Sequence, residues 1–325
     1  MNKMAALLTG CLAVAGFALS GARAQETVVT PEGALMQVDS ELAYKPGELT
    51  QEQLDSSTRD LFTADGMNVF RRFPREQTEA MVKFYTEALA LKSLSPIQLT
   101  ATQQMILTGV GSMQIKLSAG QQGDRKYDLA GGWNGGTGIR FFMLSYPDPE
   151  VVKQRFRDAG FEEPQFVDRD DGYKQALVQD PGGFDIVILT RPGLPDHSNA
   201  GVRVGIGVSD LAQSRAFYRE FVGLDELAPV DAKILGTTLY PYQHKETILM
   251  LYEPAGNAVD NGSAGIQYVV SDAAMVDARA KRRNVAVETP LNKLAGFELT
   301  TIWLNDPDGV TNYFAQVGPN PRAPD

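Results

Sequence analysis

The sequence is poor in the residues that usually build thiol and metal sites. It contains one cysteine, Cys11, and two histidines, His197 and His244, among 325 residues. Cys11 lies in an N-terminal segment that we expect to be removed, so the mature chain would have no disulfide, thiol nucleophile or iron–sulfur site. Two histidines do not complete the usual three-ligand site for iron, manganese or zinc.

The sequence also lacks an excess of positive charge. Forty Asp and Glu residues outnumber thirty Lys and Arg residues, and the net charge is −10. Such a surface repels phosphate backbones, and no basic stripe or paired metal-knuckle cysteines are present, so nucleic acid is not an expected partner. The length and the 43% hydrophobic content are typical of a globular protein with roughly two domains.

No apolar run is long enough for a membrane span, and the run near the N-terminus has the features of an export signal. Lys3 supplies the positive start, residues 5–19 are mostly apolar or small, and Ala22-Arg23-Ala24 gives a cleavage site before Gln25. We therefore predict a periplasmic or secreted protein. Residues 8–11 also fit a lipoprotein pattern, but the apolar run follows Cys11 and therefore favours soluble export.

Between the signal and the C-terminus, a polar leader precedes four similar strand–helix–strand units. The leader is expected to contain a helix within residues 47–62, capped by Thr50, and to pack on the first domain. The units repeat every 60 to 70 residues or so, as in modular folds. The periodicity predicts strands at 69–73, 97–100, 105–108 and 113–117, then 139–144, 175–178 and 184–189, then 202–208, 237–240 and 247–252, and finally 266–270, 300–304 and 312–316, with helices over 74–89, 149–159, 211–221 and 273–283.

Two internal echoes support the duplication. Phe84-Tyr85-Thr86-Glu87-Ala88-Leu89 resembles Phe217-Tyr218-Arg219-Glu220-Phe221-Val222, and Asp180-Pro181-Gly182-Gly183 resembles Asp306-Pro307-Asp308-Gly309. A Pro- and Gly-rich linker, RPGLPDHSNA, separates the halves. The predicted organisation is a signal at 1–24, a leader at 25–65, domains at 66–190 and 201–318 joined by the linker 191–200, and a tail at 319–325.

The segment 202–224 carries a resemblance to a known family. Its strand, its helix capped by Asp210 and its Phe217-Tyr218 pair followed by Gly223-Leu224 resemble the vicinal oxygen chelate superfamily. That superfamily includes glyoxalase I, bleomycin-resistance proteins and extradiol dioxygenases. The resemblance implies an α+β fold in which four βαβββ modules form two tandem eight-stranded cups. It also implies a divalent metal held by His, Gln or Glu from the first and last strands of the modules.

The residues at the implied metal positions are poor ligands. The first-strand position falls at Arg203 in unit three, at Gly265 in unit four with Gln267 next on that face, and at Asn68 or Phe70 in unit one. The last-strand position falls at Tyr313 in unit four and at Val187 in unit two. A guanidinium repels cations, and Gly, Val and Phe offer no lone pair. We therefore predict no metal and no other cofactor.

The same cups are expected to bind a small organic molecule. In the second domain, Arg203 is placed to clamp a carboxylate or phenolate, with Gln267 beside it and Tyr313 as a donor or stacking partner. The alternative is that Arg203 pairs with an acid and Tyr313 fills the core. In the first domain the candidates are Asn68, Arg72 and Asp185, and Arg72 pairing with Asp185 is the simpler interpretation.

The remaining candidates lie in loops. His244 is predicted in a hairpin turn, where it would act as a general base at a cup rim or stay solvated. Trp133 lies in a glycine-rich connector, residues 131–136, and is expected to cover a cup.

The sequence thus predicts an exported protein that binds or transforms a small molecule without a metal, with a lyase- or isomerase-like activity if it is an enzyme. One alternative is a metal-dependent glyoxalase or dioxygenase with unusual ligands. Another is an envelope protein whose cups mediate protein contacts. The sequence names neither the substrate nor the oligomeric state.

Overall fold

The computed structural model describes residues 27–29, 35–38, 42–100, 103–121, 125–169, 171–195, 200–294, 297–320 and 322. The predicted export signal, Cys11 and His197 lie outside the described residues. Within these ranges no helix is both long and apolar enough to cross a membrane.

The units predicted from the sequence are present, each with its strands and one principal helix. The strands are β1 (Thr27–Val29), β2 (Leu35–Val38), β3 (Asn68–Phe73), β4 (Lys92–Thr100), β5 (Gln103–Val110), β6 (Met113–Ala119), β7 (Gly136–Tyr146), β8 (Val167–Asp168), β9 (Lys174–Gln179), β10 (Asp185–Thr190), β11 (Arg203–Gly207), β12 (Asp225–Glu226), β13 (Val230–Ala232), β14 (Thr237–His244), β15 (Thr247–Tyr252), β16 (Ala258–Asp260), β17 (Ala264–Val269), β18 (Ala286–Leu294), β19 (Leu299–Asn305) and β20 (Thr311–Val317). The α-helices are α1 (Gln51–Asp55), α2 (Thr78–Lys83), α3 (Pro149–Asp158), α4 (Leu211–Arg215) and α5 (Ala273–Arg282).

Two of the helices continue into wider turns, and short 3-10 turns connect other elements. The π-helical segments Phe84–Ala88 and Ala216–Val222 extend α2 and α4, and 3-10 turns lie at Thr58–Leu61, Arg75–Gln77 and Gly132–Asn134. The Asp210 carboxylate accepts from the N–H of Gln213 (3.0 Å) and caps α4 as predicted. Gly160, with φ of 74°, follows α3 in the left-handed conformation that the sequence predicted.

The strands form two mixed sheets, and each sheet combines units from both halves of the chain. The first sheet has the order β1-β2-β18-β19-β20-β17-β3-β6-β5-β4, which joins unit four to unit one. The second has the order β12-β14-β15-β11-β7-β10-β9-β8, with β13 paired to β14 and β16 to β7, which joins unit three to unit two. In each sheet the first strands of the two units pair antiparallel.

This order confirms two cup-forming sheets but corrects the expected pairing of consecutive units. Residues 66–190 and 201–318 each contribute strands to both sheets, so neither stretch builds a cup by itself. The alternation of apolar and polar residues determines which face of a strand is buried. It does not determine which other unit pairs with that strand's edge, because the first strands of all units offer a similar edge. The sequence pattern therefore did not distinguish the two pairings.

Consecutive units are instead joined through their helices. The Tyr85 hydroxyl of unit one donates to Asp180 of unit two (3.1 Å), and Tyr218 of unit three donates to Asp306 of unit four (2.8 Å). Phe84 packs edge-on against Phe156 of α3. One apolar cluster contains these helices together with the helix-facing sides of both sheets. In each half of the chain, the repeated Phe-Tyr motif thus contacts the repeated Asp-Pro turn.

The leader packs on unit four rather than on the first domain. Strand β2 pairs with β18, and the buried Arg279 of α5 donates to the carbonyl of Gln53 (2.8 Å) and to Asp60 (2.9 Å). Thr50 caps α1 as expected, with Gln53 completing a capping box. The helix is shorter than predicted. Strands β1 and β2 were not predicted because each has only three or four residues, too few to show an alternating pattern, and they pair at a sheet edge.

Candidate functional site

The faces of the two sheets that point away from the shared core are the cup faces, and they have a common framework. We call the face of the first sheet cup one and that of the second sheet cup two. In cup one the ring of Phe70 covers Gly265 so closely that a Cβ there would lie 1.9 Å from a ring carbon. In cup two Phe141 covers Gly205 in the same way, at 2.1 Å. Only glycine leaves space for these rings.

Cup one contains a polar network across its central strands. Lys116 Nζ donates to Gln267 Oε1 (2.5 Å), and Asn68 Nδ2 donates to the same oxygen (3.2 Å). Asn68 Oδ1 in turn accepts from the N–H of Gln114 (2.9 Å). Gln267 is 5% exposed. The structure thus brings together two predicted residues, Asn68 and Gln267, with a lysine that the sequence analysis did not identify.

Aromatic side chains flank this network. Tyr313 lies beside Gln267 in the register of β17 and β20, and its ring lies 4.5 Å from that of Trp303, centroid to centroid. Phe70 lies 6.3 Å from Trp303. The Trp303 side chain is 3% exposed, and its Nε1 has no hydrogen-bond partner among the residues described. A buried donor in this condition is uncommon in folded proteins.

Two further arginines lie at this sheet. The buried Arg72 stacks on Phe70, 4.2 Å from the ring centroid, and donates to the Gly262 carbonyl (3.1 Å). Arg125 forms an ion pair with Glu288 and donates to Thr311 Oγ1 (2.5 Å). Arg72 therefore supports the aromatic wall of cup one.

Cup two has a cavity of about 360 Å³ with a largely hydrocarbon lining. The apolar residues come from five strands and from the loops that precede β13 and β14. They are Met143, Val187, Leu189, Leu227, Val230, Ala232, Ile234, Leu235, Leu239, Pro241, Ile248 and Met250. The polar lining residues are Arg169, Asp171, Tyr173, Gln175, Arg203 and Gln243. This is the size and composition typical of a small-molecule site.

Arg203 is the exposed cation of this cavity. It lies between Met143 and Ile248 in the register of the sheet, and within the part of the chain that the structure describes no acceptor binds its guanidinium. The neighbouring Arg169 differs, since it is paired with Asp171 (2.8 Å) and Gln175 (3.1 Å). The simpler interpretation is that Arg203 pairs with a nearby acid. Among the described residues no carboxylate does so, and Asp171 of the same cavity is paired with Arg169.

Asp185 lies on the wall of cup two but is not paired with Arg72, which belongs to the other sheet. Its carboxylate accepts from the N–H of Trp133 (2.6 Å) and from Gln179 Nε2 (2.9 Å). Burial raises the pKa of Asp185, and these hydrogen bonds partly oppose that rise. Asp185 thus anchors the loop that carries Trp133, whose ring packs 5.9 Å from that of Tyr252.

His244 lies away from the cavity. It is the last residue of β14, and its neighbour Gln243 lines cup two, so strand alternation directs His244 to the other face. Its ring packs against Phe62, 5.5 Å between centroids. Burial and the nearby Arg59 and Lys245 lower the pKa of His244. The structure does not place it at a cup rim with the other predicted site residues.

The register shows which residues lie side by side on each cup face. In cup one, Gln267 pairs with Asn68 and Tyr313, and Phe70 pairs with Gly265 and Lys116. In cup two, Met143 pairs with Arg203 and Val187, and Gly205 pairs with Phe141 and Met250. We call Asn68, Gly265, Tyr313 and Lys116 the corners of cup one, and Phe141, Arg203, Val187 and Met250 the corners of cup two.

Lys116, Trp303, Arg125 and Glu288 were missed by the sequence analysis. The alternation of strand 113–117 would have placed Lys116 on the cup face, but no motif distinguished it from a solvated lysine. Trp303 was predicted in a strand without a role. Within the described ranges no group of three or more His, Cys, Asp or Glu side chains is placed to hold a metal ion.

The comparisons with known proteins agree with this fold. Residues 202–314 match the family model "Glyoxalase/Bleomycin resistance protein/Dioxygenase superfamily". Glyoxalase I from Zea mays is structurally similar, with a TM-score of 0.61 and 22% sequence identity over 77% of this chain and 92% of that chain. A putative dioxygenase from Bacillus subtilis has a TM-score of 0.58 and 13% identity over 82% and 87%. No curated protein matches the chain.

Proposed function

We propose that this chain binds or transforms a small organic acid in cup two without a resident metal. Residues 202–314 match the glyoxalase/bleomycin resistance/dioxygenase superfamily model. The observation that carries the proposal is the apolar cavity of about 360 Å³ with the guanidinium of Arg203 on its lining. Hydrocarbon walls favour an apolar body, and a guanidinium favours a carboxylate or phenolate.

The side chains at the corners of the cups do not fit the divalent metal that the fold family implies. The corners of cup two are Phe141, Val187, Met250 and Arg203, which together offer one soft thioether and a fixed positive charge. The corners of cup one are Asn68, Gly265, Tyr313 and the ammonium of Lys116. Neither set supplies the imidazole and carboxylate donors that a divalent ion of this kind needs. We therefore derive no step through a metal.

The residues of cup two support binding more directly than catalysis. Asp171 is the carboxylate that lines the cavity, and it is paired with Arg169. Asp185 lies on the same face of the sheet, and both of its oxygens are engaged, by the N–H of Trp133 and by Gln179. A lyase- or isomerase-like reaction would need a base within reach of the ligand, and Asp185 is the candidate that we keep for that role.

Export is the part of the proposal that rests on the N-terminal sequence. Protein recovered from the periplasm or the medium is expected to begin at Gln25. This form, without the apolar run, is the one to use in binding measurements.

The two tryptophans of the chain allow the cups to be observed separately. Trp133 packs on the lining of cup two and Trp303 lies in cup one, so the variant Trp303→Phe reports on cup two alone. Octanoate is expected to change Trp133 fluorescence saturably, and the neutral octanamide to bind about tenfold more weakly or worse.

Arg203→Gln should weaken octanoate by about tenfold, since one charge-assisted contact is lost. Arg157→Gln, an exposed arginine on α3, is the matched control and should leave binding unchanged. Equal affinities for octanoate and octanamide, or for the two arginine variants, would refute the proposal. If no small acid shifts the melting temperature or the fluorescence, the alternative of cups that only contact other proteins is favoured.

A further inference from the structure

We infer that cup one is a second binding site, in which the ammonium of Lys116 takes the position of a divalent ion and binds the oxyanion of a small aromatic acid. Neither the family match nor the proposal for cup two assigns this site. It lies on the other sheet, so it can succeed or fail independently.

Lys116 occupies the central strands of cup one together with the positions that the family resemblance assigns to a metal. It pairs with Phe70 of β3, just as Tyr313 of β20 pairs with Gln267 of β17. Tyr313 stands where the resemblance expects a glutamate ligand, and Lys116 donates to the Gln267 beside it. The lysine thus brings an ammonium, carried by the protein itself, to this region.

Lys116 and Asn68 share one amide oxygen, that of Gln267. Gln267 Oε1 accepts from both Lys116 Nζ and Asn68 Nδ2, and an amide oxygen has two lone pairs. Asn68 Oδ1 already accepts a backbone N–H. The two amide oxygens at this corner are thus engaged in hydrogen bonds, and an added cation would meet an ammonium at the same oxygen. The corner is built to hold a lysine and excludes a divalent ion.

The walls of cup one around this network are aromatic. Phe70, Trp303 and Tyr313 present aromatic rings on the same face, and the buried Nε1 of Trp303 has no acceptor among the described residues. A ligand oxygen that accepts from this N–H would remove the cost of a buried, unsatisfied donor. An aromatic ring with a carboxylate or phenolate oxygen matches both the rings and the donors.

A metal titration tests the cation position. Mn²⁺ is added to the protein and to Lys116→Glu, and free Mn²⁺ is followed by electron paramagnetic resonance. The protein itself is expected to leave Mn²⁺ free, whereas Lys116→Glu, which places a carboxylate beside the two amides, should bind about one equivalent. Lys92→Glu, the same charge change at an exposed strand position, should behave like the parent. Equal Mn²⁺ binding by parent and Lys116→Glu, whether strong or absent, would overturn the inference.

A ligand titration tests the anion site and does not depend on Lys116→Glu folding. In Trp133→Phe, the remaining Trp303 reports on cup one. Benzoate is expected to change its fluorescence saturably, and benzamide is not. Lys116→Gln should weaken benzoate by about tenfold or more, while Lys92→Gln and Arg203→Gln should leave it unchanged, with melting temperatures confirming that each variant is folded.

The outcomes separate this site from cup two. Absence of a saturable Trp303 response, or a response untouched by Lys116→Gln, would overturn the inference while leaving the octanoate result in cup two intact. Loss of benzoate binding in Arg203→Gln would place the anion in cup two and would also overturn it.

Discussion

The two cups have the same framework and different linings. In both, the first strands of two units pair antiparallel, and a phenylalanine covers a glycine of the neighbouring strand. Cup one then carries a lysine, two amides and three aromatic rings. Cup two carries hydrocarbon side chains and an exposed arginine. The positions are shared, but the chemistry of the side chains at those positions is not.

This difference shows how duplication separates fold from function. The pairing of strands and the glycine–phenylalanine contacts depend on the backbone register, which each unit reproduces. The corner side chains contribute little to that register, so they can change without loss of the sheet. The same scaffold can therefore carry the Lys116 ammonium in cup one and a hydrocarbon-lined cavity in cup two.

The largest expected effect concerns the turns that lead into the last strands of units two and four. Asp180 pairs with Arg71 (2.8 Å), whose side chain is 1% exposed. Its equivalent Asp306 has no basic partner among the described residues and accepts instead from Tyr218 and backbone N–H groups. Asp180→Asn would leave a buried guanidinium without its carboxylate and should lower the free energy of unfolding by about 3 kcal/mol. Urea denaturation of Asp180→Asn and Asp306→Asn at pH 7 checks this. A smaller loss for Asp180→Asn than for Asp306→Asn would contradict it.

The next effect tests whether the two cups really share a framework. Gly205→Ala and Gly265→Ala each place a methyl group against a phenylalanine ring and should cost about 2 kcal/mol. Gly109→Ala is the control, because its Cβ would meet Leu94 at an ordinary 3.5 Å. Thermal or urea unfolding measures the three variants. If only one of the two cup variants is destabilised, the cups do not depend on the same contact.

The smallest expected effect is a pH dependence of the free energy of unfolding, measured per pH unit. It should arise from the turn that contains Asp306 and not from the one that contains Asp180. Burial raises the pKa of Asp306 to about 7, above its ordinary value near 4 in an unfolded chain. Between about pH 4 and pH 7 the folded protein holds a proton that the unfolded chain releases, so the contribution of Asp306 to stability is fully present below that range and is lost as the pH rises through it. The slope should approach about 1 kcal/mol per pH unit.

Asp306→Asn should remove this slope, and the comparison is made by urea denaturation at pH 5, 6 and 7. Asp210→Asn, at an exposed helix cap, serves as the control that keeps the slope. An identical pH profile in the parent and in Asp306→Asn would show that Asp306 is ionised in the folded protein.

Much of the fold could be predicted from the sequence because local patterns decide it. The caps at Thr50 and Asp210 and the turn at Gly160 are local choices, and the structure has them. Strand β18 was missed because Pro290 and polar residues interrupt its alternation, and it pairs with β19 through irregular register. The site was predicted in part: Asn68, Gln267, Tyr313 and Arg203 do lie on cup faces, but Lys116 had no distinguishing motif.

The sequence by itself determined the four units, their helices and the face on which each strand residue lies, because burial periodicity and turn chemistry act over a few residues. The tertiary structure decided which units share a sheet, and therefore which side chains meet. Gln267 and Lys116 are far apart in the chain but form one hydrogen bond, whereas Arg72 and Asp185 lie in different sheets. Strand pairing between distant segments depends on the packing of the whole chain, and no local pattern encodes it.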